Sequence, residues 1–197
     1  MPAIDYTALP SSSFEKAIEQ VSKAVLEQID LGNAAPIVLI DGKAGSGKST
    51  FAKALQEKLF QDGESAPRVI HMDDLYPGWD GLAAGSDYLN RFILDPLAKN
   101  ETASWQNWSW VKNERSLWRE FSGGTPLIVE GCGSLTERSK RHALLSIWME
   151  ADEATRRARW QERERHLEKF DFWAAQELDF YAREKSQQLA DVVVENN

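Results

Sequence analysis

Two periodicities alternate along the chain, and their order lays out a fold. Phe14, Ile18, Val21, Val25 and Ile29 recur at spacings of three and four, which predicts an amphipathic helix. Ser12-x-x-Glu15 reads as a capping box at its start and Gly32-Asn33 as its stop. The short apolar run Ile37–Ile40 then reads as a buried strand. Helical spacing returns with Phe51, Leu55 and Leu59 and runs to about Gln61, where Asp62-Gly63 closes it. Pro67–Met72, Pro126–Val129, Leu144–Met149 and Ala190–Val194 supply four further strands. Between the second and third, Ser86 or Asp87 starts a helix bearing Tyr88, Leu89, Phe92, Ile93 and Leu97, which Pro96 must kink or break. Trp105–Val111 alternates like a strand or hairpin, and Asn113–Phe121 reads as a short helix stopped by Gly123-Gly124. Thr136–His142 is a further helix, Asp152 caps another, and Asp171 begins the last, with Trp173, Leu178, Phe180 and Tyr181. Five strands joined by helical crossovers predict an α/β three-layer sandwich: a five-stranded parallel sheet with helices on both faces. Residues 1–197 form a single domain, with 1–10 a loose tail.

The first strand is followed by Gly42-Lys43-Ala44-Gly45-Ser46-Gly47-Lys48-Ser49-Thr50, which fits G-x-x-x-x-G-K-[ST] at every fixed position. Strand, glycine loop and helix in that order give the motif its required context and predict a P-loop NTPase fold. Glycines let successive backbone N–H groups converge on one concave point, and the next helix aims its positive end there. Lys48 adds a mobile charge for the outer phosphates, and the Ser49 hydroxyl is placed to ligate Mg²⁺. Gly42 to Thr50 therefore predict a nucleoside triphosphate site, with ATP and Mg²⁺ as cofactors.

Composition narrows the partners. Formal net charge is -8, which argues against nucleic acid, since phosphate contacts need clustered Lys and Arg. The single cysteine, Cys132, excludes an internal disulfide, fits a reducing compartment and reads as a small buried residue. No apolar run approaches a membrane span and no secretion signal is visible, so a cytoplasmic protein without membrane contact is expected. Oligomeric state is not legible. Tryptophan is over-represented, with eight copies, several of them clustered.

Carboxylates stand at two further strand ends, where open α/β sheets bind ligands. Asp73-Asp74-Leu75-Tyr76 follows the second strand, and Glu130-Gly131 follows the third. After Asp152, Arg156, Arg159 and Arg163 fall on one helical face, with Arg157 and Arg165 nearby. Such a helix suits a lid, about 152–170, closing on phosphates. Glu162 and Glu164 leave a solvated, salt-bridged face as the competing reading.

These blocks together resemble the uridine kinase branch of P-loop kinases, which also holds phosphoribulokinase and pantothenate kinase. The resemblance runs from about Pro36 to Val194. It rests on the glycine loop, on Asp73-Asp74-Leu75-Tyr76, on Ile128-Val129-Glu130-Gly131, on Asp152 to Arg159 with Arg163, and on Ala190–Val194. By resemblance, Asp73 is the general base, Lys48 and Arg159 act with it in catalysis, and Glu130 joins Ser49 at the metal. Arg156 and Arg163 face the nucleotide, and Asp73, Tyr76 and Trp110 meet the acceptor. The resemblance implies transfer of the γ-phosphate to a hydroxyl of a small molecule, a nucleoside first of all. A nucleoside monophosphate kinase, with Arg91 and Arg115 as candidate phosphate readers, and an ATP-binding regulator without an acceptor stand as alternatives.

Overall fold

The computed structural model describes residues 13–31, 35–63, 66–164 and 167–197. Ser12, Gly32-Asn33 and the 1–10 tail lie outside the described residues, as does Arg165. Five strands, β1 (Ile37–Asp41), β2 (Arg68–His71), β5 (Leu127–Glu130), β6 (Leu145–Glu150) and β7 (Val192–Glu195), form one parallel sheet in the order β2-β5-β1-β6-β7. The five strands expected from the sequence are thus all present, shifted at their ends by one or two residues. Strand side chains alternate between two cores. Val38, Ile40, Ile128, Ile147 and Val192 pack against α1 (Phe14–Asp30) and α2 (Lys48–Gln61). Leu39, Leu127 and Val129 point the other way, into a core shared with α3 (Leu82–Leu89) and α7 (Leu167–Glu184). Helices therefore cover both faces, as a wholly parallel sheet requires.

The register carries the functional consequence. Ile40 pairs with Glu130, and His71 pairs with Glu130 from the other side. The carboxyl ends of β1, β2 and β5 thus end level with one another, and the loops that leave them open onto one crevice.

Three expectations are corrected. Residues 113–121 are not a helix: β4 (Glu114–Phe121) pairs antiparallel with β3 (Ala103–Ser109) in a separate two-stranded sheet. Leu117, Trp118 and Phe121 have helix-compatible spacing, but pairing such as Trp105 with Arg119 overrides it, and Asn113, at φ 56°, closes the turn. The second helical region starts at Leu82 rather than at Ser86 or Asp87, and its regular α-helix is interrupted before Pro96. Its helix passes through a π-type stretch, Asn90–Leu94, and resumes as α4 (Asp95–Ala98), where Pro96 sits in the first turn and needs no N–H partner. Finally, α7 begins at Leu167, and Asp171 is not its cap. That carboxylate instead takes a 2.6 Å ion pair from Arg157, 14 residues earlier in the chain.

The hairpin is tied to the main body by Arg115. Its guanidinium donates to the carbonyls of Gln106 (3.2 Å) and Leu75 (2.9 Å) and lies 3.7 Å over the Tyr88 ring. Arg115→Ala is expected to cost about 1–3 kcal/mol of stability, read by urea unfolding, and to raise amide exchange in 103–121 selectively. A uniform rise across the sheet would contradict a hairpin anchored at this residue.

Candidate functional site

The loop from Gly42 to Gly47 bends so tightly that side chains are excluded from parts of it. Gly45 has φ 82°, and a Cβ there would stand 2.5 Å from the Arg156 carbonyl oxygen on α6 (Glu153–Glu164). At Gly42, with φ 145°, a Cβ would run into the Met149 carbonyl. Beyond the loop, the first N–H groups of α2 have no intrahelical acceptor and point toward the crevice. The crevice itself holds about 770 Å³ and is lined by Ala44, Gly45, Gly47, Lys48, Ser49 and Thr50 on the loop side. Gly42, Lys43 and Ser46 shape the loop without lining it: Ser46 is fully buried, and the Lys43 carbonyl accepts the Lys48 ammonium at 2.9 Å.

A buried polar group holds the loop from behind. Glu177 of α7, 1 % exposed, accepts the Ala44 N–H at 2.6 Å and lies 3.2 Å from the Cys132 sulfur. Arg156 donates to the Ala44 carbonyl at 3.2 Å and stands 3.9 Å from Glu177. Asp41, at the end of β1, accepts N–H bonds from Gly42 (2.7 Å), Gly133 (3.1 Å) and Leu135 (2.8 Å) and the Tyr181 hydroxyl (2.7 Å). Complete burial pushes Asp41 up to about 6, even though these donors and Lys48 pull the other way. Burial also draws the Lys48 ammonium down, but Cys132, Glu177, Glu130 and Asp41 around it outweigh that, so it ends above its ordinary value.

The predicted site residues divide. Lys48, Ser49, Asp73, Tyr76, Trp110, Glu130, Arg159 and Arg163 all line the one crevice. Ser49 Oγ donates to both Glu130 oxygens (3.1 and 3.2 Å), and Glu130 also meets His71 Nδ1 at 2.6 Å. That contact raises the His71 pKa. A hydroxyl and a carboxylate in contact beside the loop fit Mg²⁺, which takes few protein ligands and keeps waters and phosphates for the rest. Among the described residues no three His, Cys, Asp or Glu groups cluster as an all-protein metal cage. Asp73 faces the open crevice, yet the protein crowded around it and the charge of Glu130 raise its pKa, against Lys48, Arg163 and His71.

Arg156 is a correction. It was expected to face the nucleotide, but it is 6 % exposed, packs behind the loop and does not line the crevice. Arg159 does line it, with its guanidinium donating to the Gly45 (3.4 Å) and Asn196 (2.8 Å) carbonyls. Arg91 and Arg115 do not line it either: Arg91 pairs with Asp87 at 3.3 Å, and Arg115 is committed to the hairpin. Tyr76 is 1 % exposed, and its hydroxyl donates to the Cys132 carbonyl at 2.7 Å. Cys132 is buried, as expected. Sequence reasoning missed Glu177, Tyr181, Trp160 and Lys169. Only Asp41, directly before the glycine loop, carried a local signal of its role.

The sequence matches the family model described as an AAA domain over residues 38–181. No curated protein is similar enough in sequence to count as a relative. Among solved structures, a possible uridine kinase from Bacillus stearothermophilus superposes with a TM-score of 0.66 at 17% identity, covering 91% of this chain and 98% of its own. The YGR205w protein gives 0.62 at 14%, covering 95% and 96%. A protein of Silicibacter sp. TM1040, named provisionally as a fructose transport system kinase, gives 0.58 at 20%, covering 89% and 98%. At these identities the likeness is one of fold, and it agrees with the fold drawn from the sequence. Among the described residues, no helix is long and apolar enough to cross a membrane.

The raised pKa of Asp41 has a definite sign. The folded state holds the proton more tightly than the unfolded chain, whose aspartate titrates near 3.8. The contribution of Asp41 to stability is therefore greatest below about pH 4 and falls as pH rises through about 6. Against Asp41→Asn as reference, wild-type stability is expected to drop by about 3 kcal/mol across that window, at 1.36 kcal/mol per unit. Urea unfolding of both proteins from about pH 4 to 7 checks it, and a wild-type stability that rises relative to Asp41→Asn with pH would contradict it.

Proposed function

The chain belongs to the AAA domain family of P-loop proteins, and on that premise we propose that it is an ATP-dependent phosphotransferase acting on a hydroxyl of a small molecule. The acceptor class put forward by resemblance is a nucleoside. The observation that carries the reading is one carboxylate, Asp73, facing the same crevice as Lys48, Ser49 and Glu130 from a different strand end. Against a protein that only switches on nucleotide stands Asp73, a second carboxylate beyond the Glu130 put forward for the metal.

The residues divide the work. The loop amides and Lys48 bind and orient the triphosphate. Ser49 and Glu130 would hold Mg²⁺, which when bound neutralises charge on the phosphate oxygens. Asp73 accepts the proton of the acceptor hydroxyl as the hydroxyl oxygen bonds to the γ-phosphorus and the bond to the β-phosphate's bridging oxygen breaks. Arg159 and Arg163, which line the same crevice, would balance charge during transfer. Residues 152–170 are the proposed lid. Because the pKa of Asp73 is raised, the acid limb of turnover moves upward from the ordinary aspartate range.

Asp73→Asn is expected to lower turnover by about 10²–10⁴ with Mg-ATP affinity within about twofold of wild type. Steady-state rates with a panel of nucleosides and sugars, together with ATP titration by calorimetry, check it. Loss of ATP binding would assign Asp73 to the nucleotide site instead. Failure of every acceptor to stimulate ADP formation would remove the kinase reading.

A further inference from the structure

Glu130 ends β5 as a buried carboxylate, and the neighbouring strand brings a partner to it. His71 is the last residue of β2 and pairs in register with Glu130. Residues paired across parallel strands turn their side chains to one face, on strands about 4.8 Å apart. A register slip of one residue would send His71 to the other face. In this register its Nδ1 meets Glu130 Oε1 at 2.6 Å, with the ring half exposed and the carboxylate buried. An ionised carboxylate only accepts, so Nδ1 is the donor whether the ring is neutral or charged.

The two carboxylate oxygens are not equivalent. Oε1 accepts from His71 and is within reach of Ser49 Oγ (3.1 Å), whereas Oε2 is reached by Ser49 alone (3.2 Å) among the described residues. Ser49 has one hydroxyl proton, which serves one oxygen at a time. The Lys48 ammonium attracts Glu130 by charge, but its hydrogen bond goes to the Lys43 carbonyl. A glutamate's terminal torsion is broad and roughly two-fold, so a carboxylate without a fixed donor presents either oxygen. The His71 bond removes that freedom and leaves Oε2 as the oxygen with lone pairs to spare. His71 does not line the crevice, so it meets Glu130 from behind the site. The charges of Asp73 and Asp74 act on the ring as well, but its hydrogen bond among the described residues goes to Glu130.

We infer that His71 is a positioning residue for the cation site: its Nδ1–H fixes the Glu130 carboxylate so that Oε2 is the oxygen offered to a divalent cation. This rests on the metal role proposed for Ser49 and Glu130 and deepens it. The competing role is a structural one, in which His71 only satisfies a buried carboxylate. Loss of a structural partner lowers stability without singling out the metal. Loss of a positioning partner weakens the metal and leaves the metal-free nucleotide alone.

The test reads Mn²⁺ affinity by electron paramagnetic resonance with the ATP analogue AMPPNP bound. AMPPNP affinity in EDTA, by calorimetry, reports the loop without metal. The proteins are wild type, His71→Leu, His71→Asn, His71→Gln, Glu130→Ala and the double variant His71→Leu with Glu130→Ala. His71→Leu is expected to weaken Mn²⁺ about 10- to 100-fold, the range for removing the partner of a metal ligand, with metal-free AMPPNP within about twofold. His71→Asn, whose amide nitrogen falls near the place of Nδ1, is expected to recover most of the loss. His71→Gln, whose amide lies one carbon farther out, is expected to behave as His71→Leu does, and carries the test if the leucine variant does not fold. Once Glu130 is alanine, His71→Leu is expected to change Mn²⁺ affinity no further. If Glu130→Ala weakens Mn²⁺ and neither His71→Leu nor His71→Gln does, the positioning role is overturned and the metal role stands. An equal loss of metal-free AMPPNP affinity gives His71 to the loop and overturns it too. If Glu130→Ala leaves Mn²⁺ affinity unchanged, the metal role falls and the inference falls with it.

Discussion

The structure depends on keeping a glycine-rich loop open on one side and bonded on the other. A loop that offers its amides to phosphate leaves polar groups facing inward as well, and those groups are buried between the sheet and α7. Glu177, Asp41, Arg156 and Tyr181 satisfy them. Unmet, each such buried group would cost about 1–3 kcal/mol. Two carboxylates and an arginine occupy this space together with the neutral Tyr181 hydroxyl. The two carboxylates, Glu177 and Asp41, also act on Lys48 and help hold its pKa above the ordinary value despite burial. Shaping the loop and charging its lysine are therefore one arrangement, made largely by residues more than a hundred positions downstream of the loop.

That distance explains what was legible in the sequence. The sheet could be read because each strand is a short apolar run bounded by turn residues, and the loop because its chemistry forces glycine at fixed places. Asp73 and Glu130 were legible for a related reason: a strand end in a parallel sheet is a predictable location. Glu177 has no such marker. It sits in a helix rich in acids, and only the packing of α7 under the loop singles it out. The hairpin failed for the opposite reason. Its local spacing was informative but wrong, because a two-stranded ribbon is held by its partner strand and by Arg115 rather than by its own periodicity.

The arginines of α6 show how helical geometry divides one motif between two jobs. Arg156, Arg159 and Arg163 share a face, since three and seven residues bring the direction back to within about 60°. A shared face predicts a shared target, and the sequence was read that way. Rise along the axis breaks the equivalence: at 1.5 Å per residue, Arg159 and Arg163 stand about 4.5 and 10.5 Å beyond Arg156. Because α6 crosses the edge of the loop, that rise carries the row from behind it to in front of it. Arg156 ends beneath the Ala44 carbonyl, Arg159 beside Gly45 and Arg163 at the Trp160 ring within the crevice. Arg156 and Arg159 both bond the loop, and Arg159 and Arg163 line the crevice. A rigid displacement of α6 acts on both at once, so the backing of the loop and the positive charge lining the crevice cannot be adjusted independently.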